Sequence, residues 1–395
     1  MPKWTSGRRS SSARGSSLSN APSNELSDER NDAAALRAAS LLGEPRSALS
    51  EAGRATTSDV PDVAPPYAGL TPDVVLDAME HAGFACNRSL LTLNSYENRV
   101  YQIGRDDGPP VIAKFYRPHR WSDAQILEEH RFVAELFDRE IPVVPAIAFD
   151  GGKTLHEYAG FRFSVFPRHG GRAPNLDDKE VLEWLGRFLG RIHAVGALKP
   201  FVERPVLNPQ TFGTESREWL IEHASIPAEL RAAWSSVAEQ ALADVARAYE
   251  RAGTVNTIRL HGDCHVGNVL WREGEIDKSG NIGNGGGPHF VDFDDARNGP
   301  AVQDLWMLFP SDKIERKPLV EAILRGYEDF CEFDDLELQL IEALRTLRLL
   351  HYSAWIARRW NDPAFPAAFP WFGTAHYWQD RILELKEQIA MMKGM

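Results

Sequence analysis

The sequence predicts an α+β protein built as two lobes, a small antiparallel β lobe carrying one helix and a larger, mainly helical lobe. Three observations lead there. Strand-like runs separated by turn residues fill 84–116 and return at 154–166 around a single helix-period segment. From residue 177 onward apolar residues recur at helical spacing almost to the end of the chain. One short set of strands interrupts those helices, and it frames the loop His261-Gly262-Asp263-Cys264-His265-Val266-Gly267-Asn268.

Each element has a local reason. Thr71 and Pro72 have the chemistry of an N-cap and first helical residue, Val74, Val75, Ala78 and Ala82 share one face, and Gly83 stops the helix. Residues 84–93, 99–103 and 111–116 read as three strands of a meander, with Asn94-Ser95-Tyr96-Glu97-Asn98 and Asp106-Asp107-Gly108 as its turns. Residues 122–139 read as a helix with Ser122 and Gln125 spaced as a capping box. A hairpin over 154–158 and 161–166 follows, and 167–174 forms the hinge between lobes. Helices are expected over 177–195, 228–251, 301–309, 319–330, 336–360 and 374–392. Strand-like 256–260 and 269–271 flank the eight-residue loop. The domain plan is therefore a tail over 1–66, an N-lobe over 67–167 and a C-lobe over 168–395.

Two segments stand outside that plan. The first 23 residues hold Lys3, Arg8, Arg9 and Arg14, many serines and no acid, a pattern shared with organelle transit peptides. Too few apolar residues are present to build a core, so the stretch reads as a disordered tail. Residues 273–288 are Gly-rich and read as a flexible insertion in a hairpin turn, not as a phosphate loop, because no helix follows directly.

Composition narrows the function classes. A net charge of −12 argues against a general nucleic-acid binder, which needs a basic face. No apolar run approaches the ~18 residues of a membrane span. Cys86, Cys264 and Cys331 form no CxxC pair and no metal cluster, and Cys264 reads as a small packing residue, not a nucleophile.

The chemistry gathers at the loop. An Asp followed five residues later by an Asn, between two strands, is the layout of a kinase catalytic loop. Asp263 can accept the proton of an attacking hydroxyl, and the Asn268 carbonyl can bind Mg²⁺. The strand end Phe290-Val291-Asp292-Phe293-Asp294-Asp295 supplies a second metal ligand, with Asp292 preferred and Asp294 and Asp295 as alternatives. Oxygen ligands without thiols suit Mg²⁺ or Mn²⁺ and not zinc. Lys114 lies mid-strand in an apolar run and needs a partner. In a protein-kinase-like fold it reaches the α- and β-phosphates of ATP and is held by an acid of the next helix, Glu129 first and Glu128 second. Ser95 offers a hydroxyl and an N–H to a phosphate, or simply occupies a hairpin turn. His261 and His265 read as structural histidines, and Asp304 as a helix-end charge or a brace for the loop. Arg358, Arg359, Trp360, Trp371 and Trp378 read as core and helix surface, with a substrate wall as the second reading.

Four stretches carry a resemblance: Leu93-Asn94-Ser95-Tyr96-Glu97-Asn98-Arg99-Val100-Tyr101, Lys114-Phe115-Tyr116-Arg117-Pro118, 261–268 and 295–308. Over about 67–390 the chain resembles the stress response kinase A family, bacterial serine/threonine protein kinases of the aminoglycoside/choline phosphotransferase group. The resemblance implies ATP and Mg²⁺ use, phosphorylation of protein Ser/Thr, autophosphorylation, and a cytoplasmic, monomeric enzyme serving survival under stress. It matches Asp263 to the proton acceptor, Asn268 and Asp292 to the Mg²⁺ ligands, with Asp292 counted as catalytic as well, and Ser95 to the ATP-site serine. The tail and the Gly-rich insertion depart from the family pattern. Compared with ordinary protein kinases, Gly262 replaces the arginine before the catalytic Asp, and no Ala-Pro-Glu segment follows Asp292.

Other classes remain. A small-molecule kinase on the same scaffold is the nearest, and acids facing the cleft would favour a cationic acceptor. A metallophosphoesterase lacks Gly-Asn-His and Gly-His-x-His motifs. A nucleotide-binding pseudokinase conflicts with the complete set of Lys114, Asp263, Asn268 and Asp292.

Overall fold

The computed structural model describes residues 64–149, 151–224, 226–272 and 286–394. Residues 1–63 of the tail and 273–285 of the Gly-rich insertion lie outside these residues.

Capping chemistry fixes the first helix. α1 (Pro72–His81) begins where the Thr71 side chain accepts from the Val74 N–H, and its buried face packs on the sheet. The sheet has the order β1-β2-β3-β5-β4, formed by Cys86–Leu93, Arg99–Arg105, Val111–Phe115, His156–Tyr158 and Phe161–Pro167 in chain order, all antiparallel. Its core combines Val75 and Ala78 of α1 with Ile103, Ala113 and Val165. α2 (Asp123–Phe137) starts on the expected capping box, with both reciprocal bonds made. Its first turn packs on the small lobe, Ile126 against Tyr116 and Leu155, but the rest of its apolar face does not. Phe132, Val133 and Leu136 pack with Leu185, Phe290 and Phe293 of the large lobe. That shared burial seats α2 against the segment carrying Asp292.

The large lobe is helical: α3 (Lys179–Gly196), α4 (Glu215–His223), α5 (Ala228–Ala252), α6 (Gln303–Trp306), α7 (Lys313–Tyr327), α8 (Ile341–Arg358), α9 (Ala364–Ala368) and α10 (Ala375–Lys393). Between α5 and α6 lie β6 (Ile258–Leu260), β7 (Val269–Arg272), β8 (Gly287–Phe290) and β9 (Arg297–Gly299). β6 pairs with β9 and β7 with β8, both antiparallel.

Several helices differ from their sequence reading. The segment 302–309 is buried throughout, and only Gln303–Trp306 is α-helical; burial on all sides, Gln303 and Asp304 included, leaves no amphipathic period from which to read the helix bounds. α7 starts earlier than expected because Asp312 caps it, and it carries Pro318 inside. The long pattern over 336–360 divides into a 3₁₀ segment, Asp335–Leu340, and α8. α4, entered through a π-helical turn over Pro209–Thr214, was not legible, since only Ser216 and Leu220 of its nine residues are buried. Trp378 is fully buried against Trp234, in keeping with the core reading of the C-terminal aromatics. Among the described residues, no helix is long and apolar enough to cross a membrane.

α3 and α7 cross at a contact made by glycines. A Cβ on Gly186 would run into the Ile323 carbonyl, and one on Gly326 into the Glu183 carbonyl. Backbone cannot yield as a side-chain tip can, so Gly326→Ala is expected to cost about 1–3 kcal/mol. At ~2–4 °C per kcal/mol the melting temperature should drop by several degrees. An unchanged melting temperature would show that the helices do not meet this closely.

Candidate active site

The loop after β6 is pinned from below. Asp304, fully buried, accepts from the His261 and Gly262 backbone N–H groups, each at 2.8 Å, and lies 3.1 Å from His193 Nε2. The Gln303 amide donates to the Gly262 carbonyl at 3.1 Å. Asp304 is therefore the brace, the second of its two sequence readings. His261 is structural, as expected: its Nε2 donates to the Val291 carbonyl and its ring rests 4.4 Å from that of Phe293. Gly262 has φ +85°, and a Cβ there would collide with the Asp295 carbonyl. An arginine cannot occupy this position, which accounts for the departure from ordinary protein kinases.

Asp263 follows directly. Its Oδ1 accepts from Arg348 Nη1 at 2.8 Å, and its Oδ2 lies 3.6 Å from His265 Nε2. Burial pushes the carboxyl pKa up, but Arg348 and His265 outweigh it and hold the group below its ordinary value. His265 also accepts the Gly267 N–H through Nδ1, shaping the turn Val266–Asn268. The Asn268 amide nitrogen donates to the Asp263 carbonyl at 2.9 Å, so the amide oxygen is the atom of this side chain that could hold a metal. The Asn268 carbonyl accepts from Val291 N, tying this loop to the residue before Asp292.

Asp292 sits in the left-handed region, φ +60° and ψ +61°. This is a costly conformation for a non-glycine residue, of the kind that clusters at functional sites. Its side chain is 54% exposed and meets Lys114 Nζ at 2.8 Å. Asp294 and Asp295 are committed elsewhere. Asp294 is buried on Arg120 and Asn98, and Asp295 pairs with Arg120 and Arg297. Burial would raise the Asp294 pKa, yet Arg120 and Lys114 bring it down to about 2. Of the three carboxylates, Asp292 is the most exposed and the one without an arginine partner.

The expected Lys114–Glu129 pair is not what forms. Lys114 Nζ is bound to Asp292 and lies 3.4 Å from Asp294, while Glu129 is held at 2.6 Å by Arg204. Glu129 does point inward and is 3% exposed. The loop after α3 brings Arg204 between α2 and the Asp292 segment, where it also donates to the Gln125 and Asp294 carbonyls. A nearer, bidentate-capable guanidinium takes the carboxylate. Glu128, the second choice, is also occupied: it accepts the backbone N–H groups of Val202, Glu203 and Arg204. Burial drives the Lys114 pKa down, but Asp292 and Asp294 more than reverse it, so the amine stays charged.

Ser95 is half-buried in the turn between β1 and β2, which overhangs the cleft. That turn is fastened to the large lobe. Glu97 pairs with Arg117 at 2.9 Å and Arg359 at 2.6 Å and accepts from the Trp355 indole, while Asp362 takes Arg99 and Arg117. Ser95, Lys114, Glu129, Asp263, Asn268 and Asp292 thus line one cleft of about 710 Å³. Sequence reasoning missed Arg348, Arg204 and Arg120. A signal existed, two arginines within the largely apolar helical run 344–350, but it does not distinguish Arg348 from Arg345, which turns to Glu342 and Ser311.

The Asn268 amide oxygen and the Asp292 carboxylate are hard oxygen donors and fit Mg²⁺. Among the described residues, no group of three or more His, Cys, Asp or Glu side chains could hold a metal. A divalent ion here would rely on few protein atoms plus phosphate oxygens, the usual manner of Mg²⁺.

Residues 90–350 match the phosphotransferase enzyme family APH. Stress response kinase A of Escherichia coli K12 is 44% identical over 324 residues, 82% of this chain and 94% of that protein. The serine/threonine protein kinase RdoA of Salmonella typhimurium is 43% identical over 323 residues, again 82% and 94%. Among solved structures, amicoumacin kinase hAmiN in complex with AMP-PNP, Ca²⁺ and Ami superposes with TM-score 0.59 at 19% identity, covering 79% of this chain and 93% of that one. A microcompartment-associated aminopropanol kinase gives 0.60 at 18%, covering 81% and 98%. These two likenesses bear on fold alone. The match over most of the chain and the identity to these relatives place it plainly: the chain belongs to the APH phosphotransferase enzyme family, beside the kinases named stress response kinase A.

Proposed function

We propose that this kinase transfers the γ-phosphoryl group of ATP, with Mg²⁺, to Ser and Thr hydroxyls of proteins, itself included, as a cytoplasmic monomer in a stress-survival role. The observation that carries the reading is the convergence of Lys114, Asp263, Asn268 and Asp292 on one cleft beneath the turn holding Ser95. Lys114 binds phosphate oxygens once it leaves Asp292, and Ser95 contacts them from above. Asp263 orients the acceptor hydroxyl and takes its proton. Asn268 and Asp292 hold the metal. Mg²⁺ bound there neutralises charge on the phosphate oxygens. Catalysis of this kind is mostly positioning and electrostatics.

The charge pattern supports a neutral hydroxyl acceptor. Apart from Asp292, which meets Lys114, the cleft carboxylates Glu97, Glu129, Asp263, Asp294 and Asp295 are each paired with arginine. The Trp355 ring, half-buried at the cleft wall, is flanked by Tyr352, Phe365, Phe369 and the Arg359 guanidinium, a positive neighbour that disfavours a cationic acceptor there. The name of the Salmonella relative, a serine/threonine protein kinase, points the same way.

The test is labelled ATP with Mg²⁺ and three acceptor conditions: none, a generic basic protein, and a panel of aminoglycosides, choline and homoserine. Label on protein Ser or Thr is expected. Label confined to a small molecule would move the acceptor class to the small-molecule kinases. ATP binding without transfer would make the chain a pseudokinase.

A further inference from the structure

We propose that Arg348 is a catalytic residue of the transfer step, its guanidinium donating to an oxygen of the γ-phosphoryl group while docked on Asp263. This rests on the kinase reading above and adds a residue that lies outside both the catalytic loop and the metal strand end.

Three observations carry it. Arg348 comes from the middle of α8, yet its Nη1 is 2.8 Å from Asp263 Oδ1 and the side chain lines the cleft. Among the described residues, the remaining N–H groups of this guanidinium donate to no protein acceptor, and the side chain is 20% exposed. The other two cleft arginines are consumed: Arg120 is spent on Asp294 and Asp295, and Arg297 on the side chain and carbonyl of Asp295. A planar fork with one prong used and the others facing a phosphate-binding cleft is built for phosphate oxygens.

The reach follows from the reaction. An acceptor hydroxyl bonded to Asp263 lies ~2.6–3.2 Å from it, and the phosphorus under attack lies ~3–3.5 Å beyond. A guanidinium already touching Asp263 spans that interval. In the step, the acceptor oxygen forms a bond to the γ-phosphorus and the bond from that phosphorus to the β,γ-bridging oxygen breaks. The electron pair leaves with ADP and the hydroxyl proton passes to Asp263. Arg348 gives up no atom; it donates to the charge spread over the equatorial oxygens.

Arg348→Met is expected to lower kcat by ~10²–10³-fold, the usual loss for one transition-state donor. The KM for ATP and the Kd for AMP-PNP should stay within about threefold. Arg348→Lys should recover part of the loss, and guanidinium ion should partly restore Arg348→Ala. Binding of ADP with Mg²⁺ and aluminium fluoride, a mimic of the moving phosphoryl group, should weaken in Arg348→Met by a factor similar to that in kcat. The proposal is overturned if kcat stays within threefold of wild type. It is equally overturned if kcat falls while the aluminium fluoride complex binds as in wild type, because Arg348 then only holds Asp263. A wild-type protein that transfers no phosphate to any acceptor would instead defeat the kinase reading itself.

Discussion

Asp263→Asn is expected to reduce phosphoryl transfer by ~10²–10⁴-fold, the range for a positioned general base. Nucleotide affinity and melting temperature should stay close to wild type. Asparagine keeps the shape of the side chain and an oxygen that can accept from Arg348, so the docking at 2.8 Å survives. What disappears is the negative charge that accepts the proton. Single-turnover transfer, AMP-PNP affinity and thermal melting, measured on one preparation, separate these effects. Turnover near the wild-type rate would remove Asp263 from the chemistry. A loss accompanied by unfolding would show that the Arg348 contact is structural.

Asp304→Ala is expected to have the largest effect on stability. Its carboxylate is fully buried and serves two backbone N–H groups, of His261 and Gly262, and the His193 ring. Removing it leaves several buried donors without a partner, at a cost of about 3–5 kcal/mol. At ~2–4 °C per kcal/mol the melting temperature should fall by roughly 10 °C. Turnover should fall further than unfolding explains, because the loop presenting Asp263 loses its floor. Asp304→Asn keeps one acceptor oxygen and should fall between the two. A melting temperature within a degree or two of wild type would mean that the His261–Asp263 backbone is held by other contacts.

Most of the small lobe was legible, because its signals are local. Thr71 and Pro72 start α1, the Ser122–Gln125 box starts α2, and turn residues separate β1, β2 and β3. The eight-residue loop was legible for the same reason: an Asp and an Asn five residues apart need only a short turn to come together. The inward orientation of Glu129 followed from helical period, since it shares a face with Phe132 and Leu136.

The choice of partner was not legible. Lys114, Glu129 and Asp263 each needed a counter-ion, and each found one far along the chain: Asp292, Arg204 and Arg348. Nothing local distinguishes Arg204 from other exposed-looking arginines until the loop after α3 folds against α2. The fastening of the turn at 94–98 by Arg359 and Trp355 is of the same kind. The sequence by itself determined the small lobe, the turn joining Asp263 to Asn268 and the family, because capping, turn chemistry and short motifs act over a few residues. Tertiary structure alone decided which charges meet, because a buried charge is satisfied by whichever opposite group packing brings within about 3 Å, whatever its distance in sequence.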